Sequence, residues 1–136
     1  MTTPTDRDGR TALHYAVIEN DVPEIRRLLA VGVVPGAADK AGWTPLHFAA
    51  QECFAEAARL LIQYGASVDA QDNHGNTPLA KAVFYSQGRG ELIRLLRESG
   101  ADFQLENKHG VSPVKLARTI GNYDVRQFFS DVPESP

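Results

Sequence analysis

Apolar residues along the chain recur at a spacing of three and four positions, in short groups separated by polar breaks. Leu13, Ala16 and Val17 form one such group, and Ile25 and Leu28 belong to the next. This spacing places apolar side chains on one face of a helix. Similar pairs of groups follow along the chain, so the pattern predicts a succession of short amphipathic helix pairs.

The helix pairs are copies of one unit. The tetrad Thr44-Pro45-Leu46-His47 has weaker counterparts that begin at Thr11, Thr77 and Ser112. A glycine stands ahead of each tetrad, at Gly9, Gly42, Gly75 and Gly110, with spacings of 33, 33 and 35 residues. Self-similarity at a fixed period of this size is typical of a solenoid.

Helix signals inside each copy agree with this period. A Ser or Thr at the start of the tetrad can cap free backbone N–H groups, and proline suits the first turn of a helix. In the second copy we expect helices near Pro45–Gln51 and Phe54–Tyr64. In the fourth we expect helices at Ser112–Ile120 and Tyr123–Ser130, with Phe128 or Phe129 covering the end of the core.

The third copy carries two extra residues within 86–90, a glycine-rich stretch between its two helices. We expect this insertion to form a surface loop. The predicted domain organisation is a disordered lead-in at 1–5, a single repeat domain at 6–131 and a disordered tail at 132–136. The repeats span about 6–38, 39–71, 72–106 and 107–131.

The residues Gly42 to Ala50 read G-x-T-P-L-H-x-A-A, and Gly65-Ala66 follows a Leu60-Leu61-Ile62 run. On these residues the chain resembles the ankyrin repeat family over most of its length. The resemblance implies an all-α solenoid of four stacked helix-turn-helix repeats with β-turn fingers. It also implies a protein-binding scaffold, although many functions share this fold.

Charge and composition narrow the expected partners. The net charge is −3, which argues against nucleic acid, because phosphate binding needs a basic surface. No apolar run approaches the length of about 20 residues that spans a membrane. The start of the sequence lacks the features of a secretory signal. We therefore expect a cytoplasmic monomer that binds a protein.

Histidine and cysteine are the candidates for chemistry, and neither predicts a reactive site. The resemblance implies that His14 and His47 bond to the Thr of their own tetrad and to the next repeat's backbone. His74 and His109 sit at turn tips one repeat apart, about 10 Å, which is too far for one zinc ion. Cys53 is expected to be an inert, semi-buried thiol. The sequence predicts no catalytic, cofactor-binding or metal-binding residues.

The resemblance places the partner surface on the concave face, built from the turn tips and the exposed side of each first helix. Carried over position by position, the partner-binding residues are Arg10, Lys40, Trp43, Gln51, Glu52, Asn73, His74, Asn76, Phe84, Tyr85 and His109. Two features of this surface have alternative interpretations. Trp43 is either an interface residue or packs along the turns, and Phe84-Tyr85 is either exposed or covered by the longer loop.

The resemblance extends to short, stand-alone bacterial ankyrin proteins, some of which are immunity proteins against a cognate toxin. Residues 107–129 are similar to the last repeat of those chains. The sequence therefore leaves two binding functions open: an inhibitor or immunity protein for a bacterial toxin, or a general scaffold or adaptor. An enzyme or metal-dependent regulator is the third class, and no motif favours it.

Overall fold

The computed structural model describes residues 5–121 and 123–133 of the chain. In these ranges the chain forms seven α-helices and a short 3-10 helix, with no β-strand, so the described fold is all-α, as predicted. The α-helices are α1 (Ala12–Ile18), α2 (Val22–Ala30), α3 (Pro45–Glu52), α4 (Ala55–Gln63), α5 (Pro78–Tyr85), α6 (Glu91–Glu98) and α7 (Pro113–Thr119). Helices α1, α3, α5 and α7 stack in one layer, and α2, α4 and α6 in a second.

The first helix of every repeat starts at the Thr or Ser of the tetrad. Thr77 has an extended backbone, and its side-chain oxygen accepts a hydrogen bond of 3.2 Å from the Ala80 N–H. Ser112 accepts an equivalent bond from Lys115. Proline is the first residue of α3, α5 and α7, where its missing N–H leaves no helical bond unmade. The repeated tetrad therefore sets the start of each inner helix.

The segments ahead of the tetrads form β-turns, which we call the tips (residues 6–10, 39–43, 72–76 and 107–111). In each tip the glycine N–H donates to the carbonyl of the tip's first residue. The side chain of that first residue accepts two more backbone N–H groups; Asp72 Oδ1, for example, accepts those of His74 and Asn76, both at 2.9 Å. Each tip is thus a self-contained turn that needs an Asp or Asn at its start.

Main-chain hydrogen bonds join each tip to the next. The N–H groups of Lys40, Asn73 and Lys108 donate to the carbonyls of Asp8, Ala41 and His74, at 2.9, 2.9 and 3.0 Å respectively. The tips therefore stack in register with the helices and extend the layer of first helices.

A continuous apolar core lies between the two helix layers. Leu13, Leu46 and Leu79 occupy equivalent places in α1, α3 and α5, and each is fully buried. Leu61 in α4 and Ile93 in α6 are also fully buried, from the outer layer. No single helix pair could bury such a face alone, so the core depends on contacts between neighbouring repeats.

The fourth repeat departs from the sequence prediction. A second helix was expected at Tyr123–Ser130, whereas the chain forms only a 3-10 helix at Arg126–Phe129. Phe129 is nevertheless buried, with 2 % of its surface exposed, and it covers the end of the core as predicted. Val132, the first residue of the predicted tail, is buried as well. Residues 1–4 and 134–136, at the predicted disordered ends, lie outside the described residues.

The insertion in the third repeat is exposed only in its middle. Gln87 and Arg89 face solvent, whereas Ser86 and Gly90 at its two ends are buried. The ring of Phe128 lies directly against Gly90. The insertion therefore packs against the short last element of the fourth repeat, rather than forming a wholly exposed loop.

Candidate functional site

Seven of the eleven predicted partner-binding residues line two grooves. The third-repeat groove, of about 350 Å³, lies between α5 and the fourth repeat. Its wall includes four of the predicted residues, namely Asn76, Phe84, Tyr85 and His109. The second-repeat groove, of about 260 Å³, is lined by three of them, namely Arg10, Trp43 and Gln51.

Phe84 and Tyr85 are exposed at the C-terminal end of α5. Their exposed fractions are 61 % and 40 %, so the inserted loop does not cover them, and that alternative is wrong. The two rings meet edge to face, with centroids 4.9 Å apart and planes at 70°. An aromatic pair of this kind presents a large apolar surface of fixed shape, because each ring restrains the other.

Trp43 packs into the concave face instead of projecting from it. Its ring lies 4.8 Å from the ring of Phe48 and 5.9 Å from that of His47. The ammonium group of Lys81 lies over the indole ring of Trp43, 4.1 Å from the ring centroid. Trp43 therefore has a packing role along the turns, although one edge still lines the second-repeat groove.

Lys81 joins the two grooves, and sequence reasoning missed it. Its ammonium group contacts Trp43 on one side, and its side chain lines the third-repeat groove on the other. The Lys81 side chain is 12 % exposed, and its Nζ lies 3.2 Å from Oδ2 of Asp72, a carboxylate with no exposed surface. The repeat register contained the signal, because the equivalent positions Tyr15 and Phe48 are aromatic, and only the third repeat has a cation there.

Other predicted residues lie outside both grooves. Lys40, Asn73 and His74 are exposed on the tips, where the side-chain amide of Asn73 donates to the Lys40 carbonyl at 2.8 Å. Glu52 is exposed at the end of α3, and its carboxylate accepts a hydrogen bond from Gln51. The structure therefore brings four of the predicted residues together, the aromatic pair with Asn76 and His109, and places the others elsewhere on the tips and first helices.

The two buried histidines are structural, as predicted. Nδ1 of His47 accepts the Thr44 N–H at 3.0 Å, so the ring proton is on Nε2, which donates to the Asn76 carbonyl at 2.9 Å. His14 makes the equivalent bonds to Thr11 and to the Trp43 carbonyl. Burial lowers the pKa of both imidazoles, because the charged form would lose its hydration. Each neutral ring ties its own repeat to the next.

Reactive groups are few among residues 5–121 and 123–133. Burial raises the pKa of the Cys53 thiol, which disfavours the nucleophilic thiolate. Within these residues no three His, Cys, Asp or Glu side chains are grouped so as to hold a metal ion. The helices of the same ranges are all too short or too polar to cross a membrane.

Comparison with known proteins agrees with the repeat architecture. A family model described as ankyrin repeats (3 copies) matches the chain over residues 2–72 and again over residues 18–107, well over half of its length. A search of curated proteins finds no match. Ankyrin repeats are generally protein–protein interaction modules and are typically non-enzymatic. From its repeats, its geometry and the matching family model, the chain belongs to the ankyrin repeat family.

Proposed function

We propose that this protein is a non-catalytic binding module that holds a protein partner on its concave face, with Phe84 and Tyr85 as the central contact. The observation that carries the proposal is the exposure of this aromatic pair beside a groove of about 350 Å³. Aromatic residues are enriched among the few residues that supply most of the binding energy of an interface. Isolated exposed apolar residues are common, but two adjacent rings at a groove form a patch.

Polar groups surround the aromatic pair in the way expected of an interface rim. Asn76, Asn107 and His109 line the groove opposite α5. The side-chain amide of Asn107 donates to Oδ1 of Asn76 at 2.9 Å, which fixes both side chains. A rim of this kind orients a partner while the apolar centre supplies the larger share of the affinity.

The finer form of the proposal is a cytoplasmic inhibitor or immunity protein for a bacterial toxin, acting as a monomer. The similarity of residues 107–129 to short bacterial ankyrin immunity proteins supports it. The alternative is a general adaptor with several partners. A dedicated inhibitor binds one partner tightly through an apolar centre, whereas an adaptor relies more on weak, salt-sensitive contacts.

The experiment is an affinity capture of partners from the source cells, followed by measurement of the dissociation constant with the purified partner. The test variant is Phe84→Ala with Tyr85→Ala, and the matched control is Tyr64→Ala, an exposed aromatic at the end of α4. We expect the double variant to weaken binding by more than about 2 kcal/mol, or about thirtyfold, with an unchanged unfolding midpoint. Unchanged affinity in the double variant, or an equal loss in the control, would refute the proposed interface.

The salt dependence of partner binding distinguishes the inhibitor from the general adaptor. One stoichiometric partner that survives a wash at high salt supports the inhibitor, and its identity shows whether it is a toxin. Several partners that dissociate at high salt support the adaptor. In both arms the double variant reports whether the aromatic pair is the contact.

A further inference from the structure

The third-repeat groove has a charge character opposite to that of the whole chain. The net charge of the protein is −3, yet the residues that line this groove include a lysine and a histidine and no carboxylate. Apart from Lys81 and His109, the lining consists of apolar, amide and hydroxyl side chains. The groove therefore offers an apolar wall together with hydrogen-bond donors and the cation Lys81.

Lys81 is positioned so that its ammonium group can donate hydrogen bonds to an acceptor on a partner that enters the groove. Asp72 lies behind it, fully buried, at 3.2 Å from Nζ. The Trp43 ring covers another side of the ammonium group and restrains its position. An ammonium group has three N–H donors. A contact with one carboxylate oxygen of Asp72 leaves further donors of Lys81 available in the groove.

The apolar wall stands on the same helix as this cation. Ala80 and Phe84 flank Lys81 along α5, at the positions before it and three residues after it. Val111 and Leu116 close the opposite side from the fourth repeat. A volume of about 350 Å³ accommodates a large apolar side chain and the neighbouring residue of a peptide, but not a folded domain.

From these positions we infer that the partner presents a segment in which a large apolar side chain lies within two residues of an Asp or Glu. The apolar side chain fills the space between Phe84 and Leu116, and the carboxylate accepts hydrogen bonds from Lys81. The inference rests on the proposed function, because it specifies the chemistry of the partner at the same groove. Charge complementarity carries it, since the lining contains the cation Lys81 and no carboxylate, so a basic segment would find no charged partner there.

The test uses selection from a random peptide library displayed on phage, with the full-length protein as bait. Selected peptides are then synthesised, and their affinities are measured by fluorescence polarisation. We expect the selected sequences to share a Phe, Leu, Met or Trp with an Asp or Glu one or two positions away. Replacing that Glu by Gln in the peptide should weaken binding by about fivefold, and the effect should shrink at high salt.

Protein variants locate the contact. Lys81→Met should abolish the difference between the Glu and Gln peptides while the apolar preference remains. This variant leaves Asp72 buried without its counter-charge, so the pair Asp72→Asn with Lys81→Met is the companion that removes both charges. Exchange of Glu for Gln in the peptide needs no protein variant, so the test stands even where a variant fails to fold.

Several outcomes of these experiments would overturn the inference. A shared motif without a carboxylate, a motif rich in Lys or Arg, or a selection with no motif overturns it. Peptides that keep their preference for Glu in the Lys81 variants also overturn it. The proposed function survives such a result if Phe84→Ala with Tyr85→Ala still weakens binding of the natural partner by about thirtyfold or more, and it fails separately if that variant has no effect.

Discussion

On the face formed by the first helices, the second repeat packs its aromatic residues, whereas the third repeat leaves its aromatic residues exposed. Trp43 and Phe48 contact each other, and each also lies under a cation, Lys81 and Arg10 respectively. Phe84 and Tyr85, one repeat further on, contact each other and are 61 % and 40 % exposed. The two pairs lie at different positions of the repeat, because Trp43 and Phe48 correspond to Asn76 and Lys81, and Phe84 and Tyr85 correspond to Gln51 and Glu52.

This difference shows how a repeat protein can build a specific surface on a common scaffold. In the second repeat the tetrad histidine, His47, ties the helix start to the next tip. In the third repeat Ala80 replaces that histidine, and Lys81 replaces the aromatic residue that follows it. The smaller Ala80 side chain leaves space beside α5, and the third-repeat groove occupies it. The departure from the repeat pattern therefore coincides with the candidate site.

The largest effect is expected in the part of the core that the two repeats share. Leu61→Ala removes a fully buried side chain at the centre of the stack and should lower the free energy of unfolding by about 2–5 kcal/mol. Gln63→Ala, exposed on the same helix, is the control and should change little. Denaturant titration measures both, and a loss below about 0.5 kcal/mol for Leu61→Ala would contradict this placement.

The next largest effect is expected from a comparison of alanine substitutions at two glycines of the second repeat. Gly42 in the tip and Gly65 after α4 have φ of +83° and +97°, but a Cβ on Gly42 would lie 2.7 Å from the Asn73 backbone nitrogen, whereas one on Gly65 would meet nothing within 4 Å. We expect Gly42→Ala to cost about 2–4 kcal/mol and Gly65→Ala only about 1 kcal/mol. Thermal unfolding of the two variants makes the comparison, and equal losses would show that contact between tips adds nothing.

The buried histidines of the first two repeats predict that the stability of the fold depends on pH. The folded-state pKa values of His14 and His47 are lowered from 6.5, so the unfolded chain binds more protons than the folded chain as the pH falls. Their stabilising contribution is therefore present above pH 6.5 and is lost as the pH drops through the lowered pKa values. His47→Ala should cost about 1–3 kcal/mol at pH 7.5, because it leaves the Thr44 N–H and Asn76 carbonyl unpaired.

Urea titrations at pH 7.5 and 5.0 provide the measurement. The wild-type protein should lose stability between these two values, and His47→Ala should lose less over the same interval. If the variant shows the same pH dependence as the wild type, then His47 does not contribute to it.

The smallest effect is expected from a substitution that makes the third repeat resemble the second. Ala80→His places an imidazole beside Thr77, in the relation that His47 has to Thr44. With a bond to the next tip it should stabilise the fold by about 0.5–1 kcal/mol. The same side chain would narrow the third-repeat groove and weaken partner binding. A stabilised variant with full affinity would show that the partner does not enter the groove.

The sequence predicted the repeated parts of the structure well, because the tetrad and the glycine set each unit locally. The observed α3, Pro45–Glu52, ends one residue beyond the prediction. The last helix was predicted less well, since buried Val125, Phe129 and Val132 have the spacing of an α-helical face, whereas the backbone hydrogen bonds there join residues three apart. Within the candidate site, the role of Lys81 depends on contacts between repeats, which no single copy of the pattern contains.

Three of the hydrogen bonds between tips run through the main chain, from the N–H groups of residues 40, 73 and 108. Any amino acid except proline can supply such a donor. The side chains of Lys40, His74 and Lys108 can therefore be exchanged without altering the frame that carries them. This separation gives the molecule mutational freedom along the edge formed by the tips, so a library randomised at these positions should keep the fold.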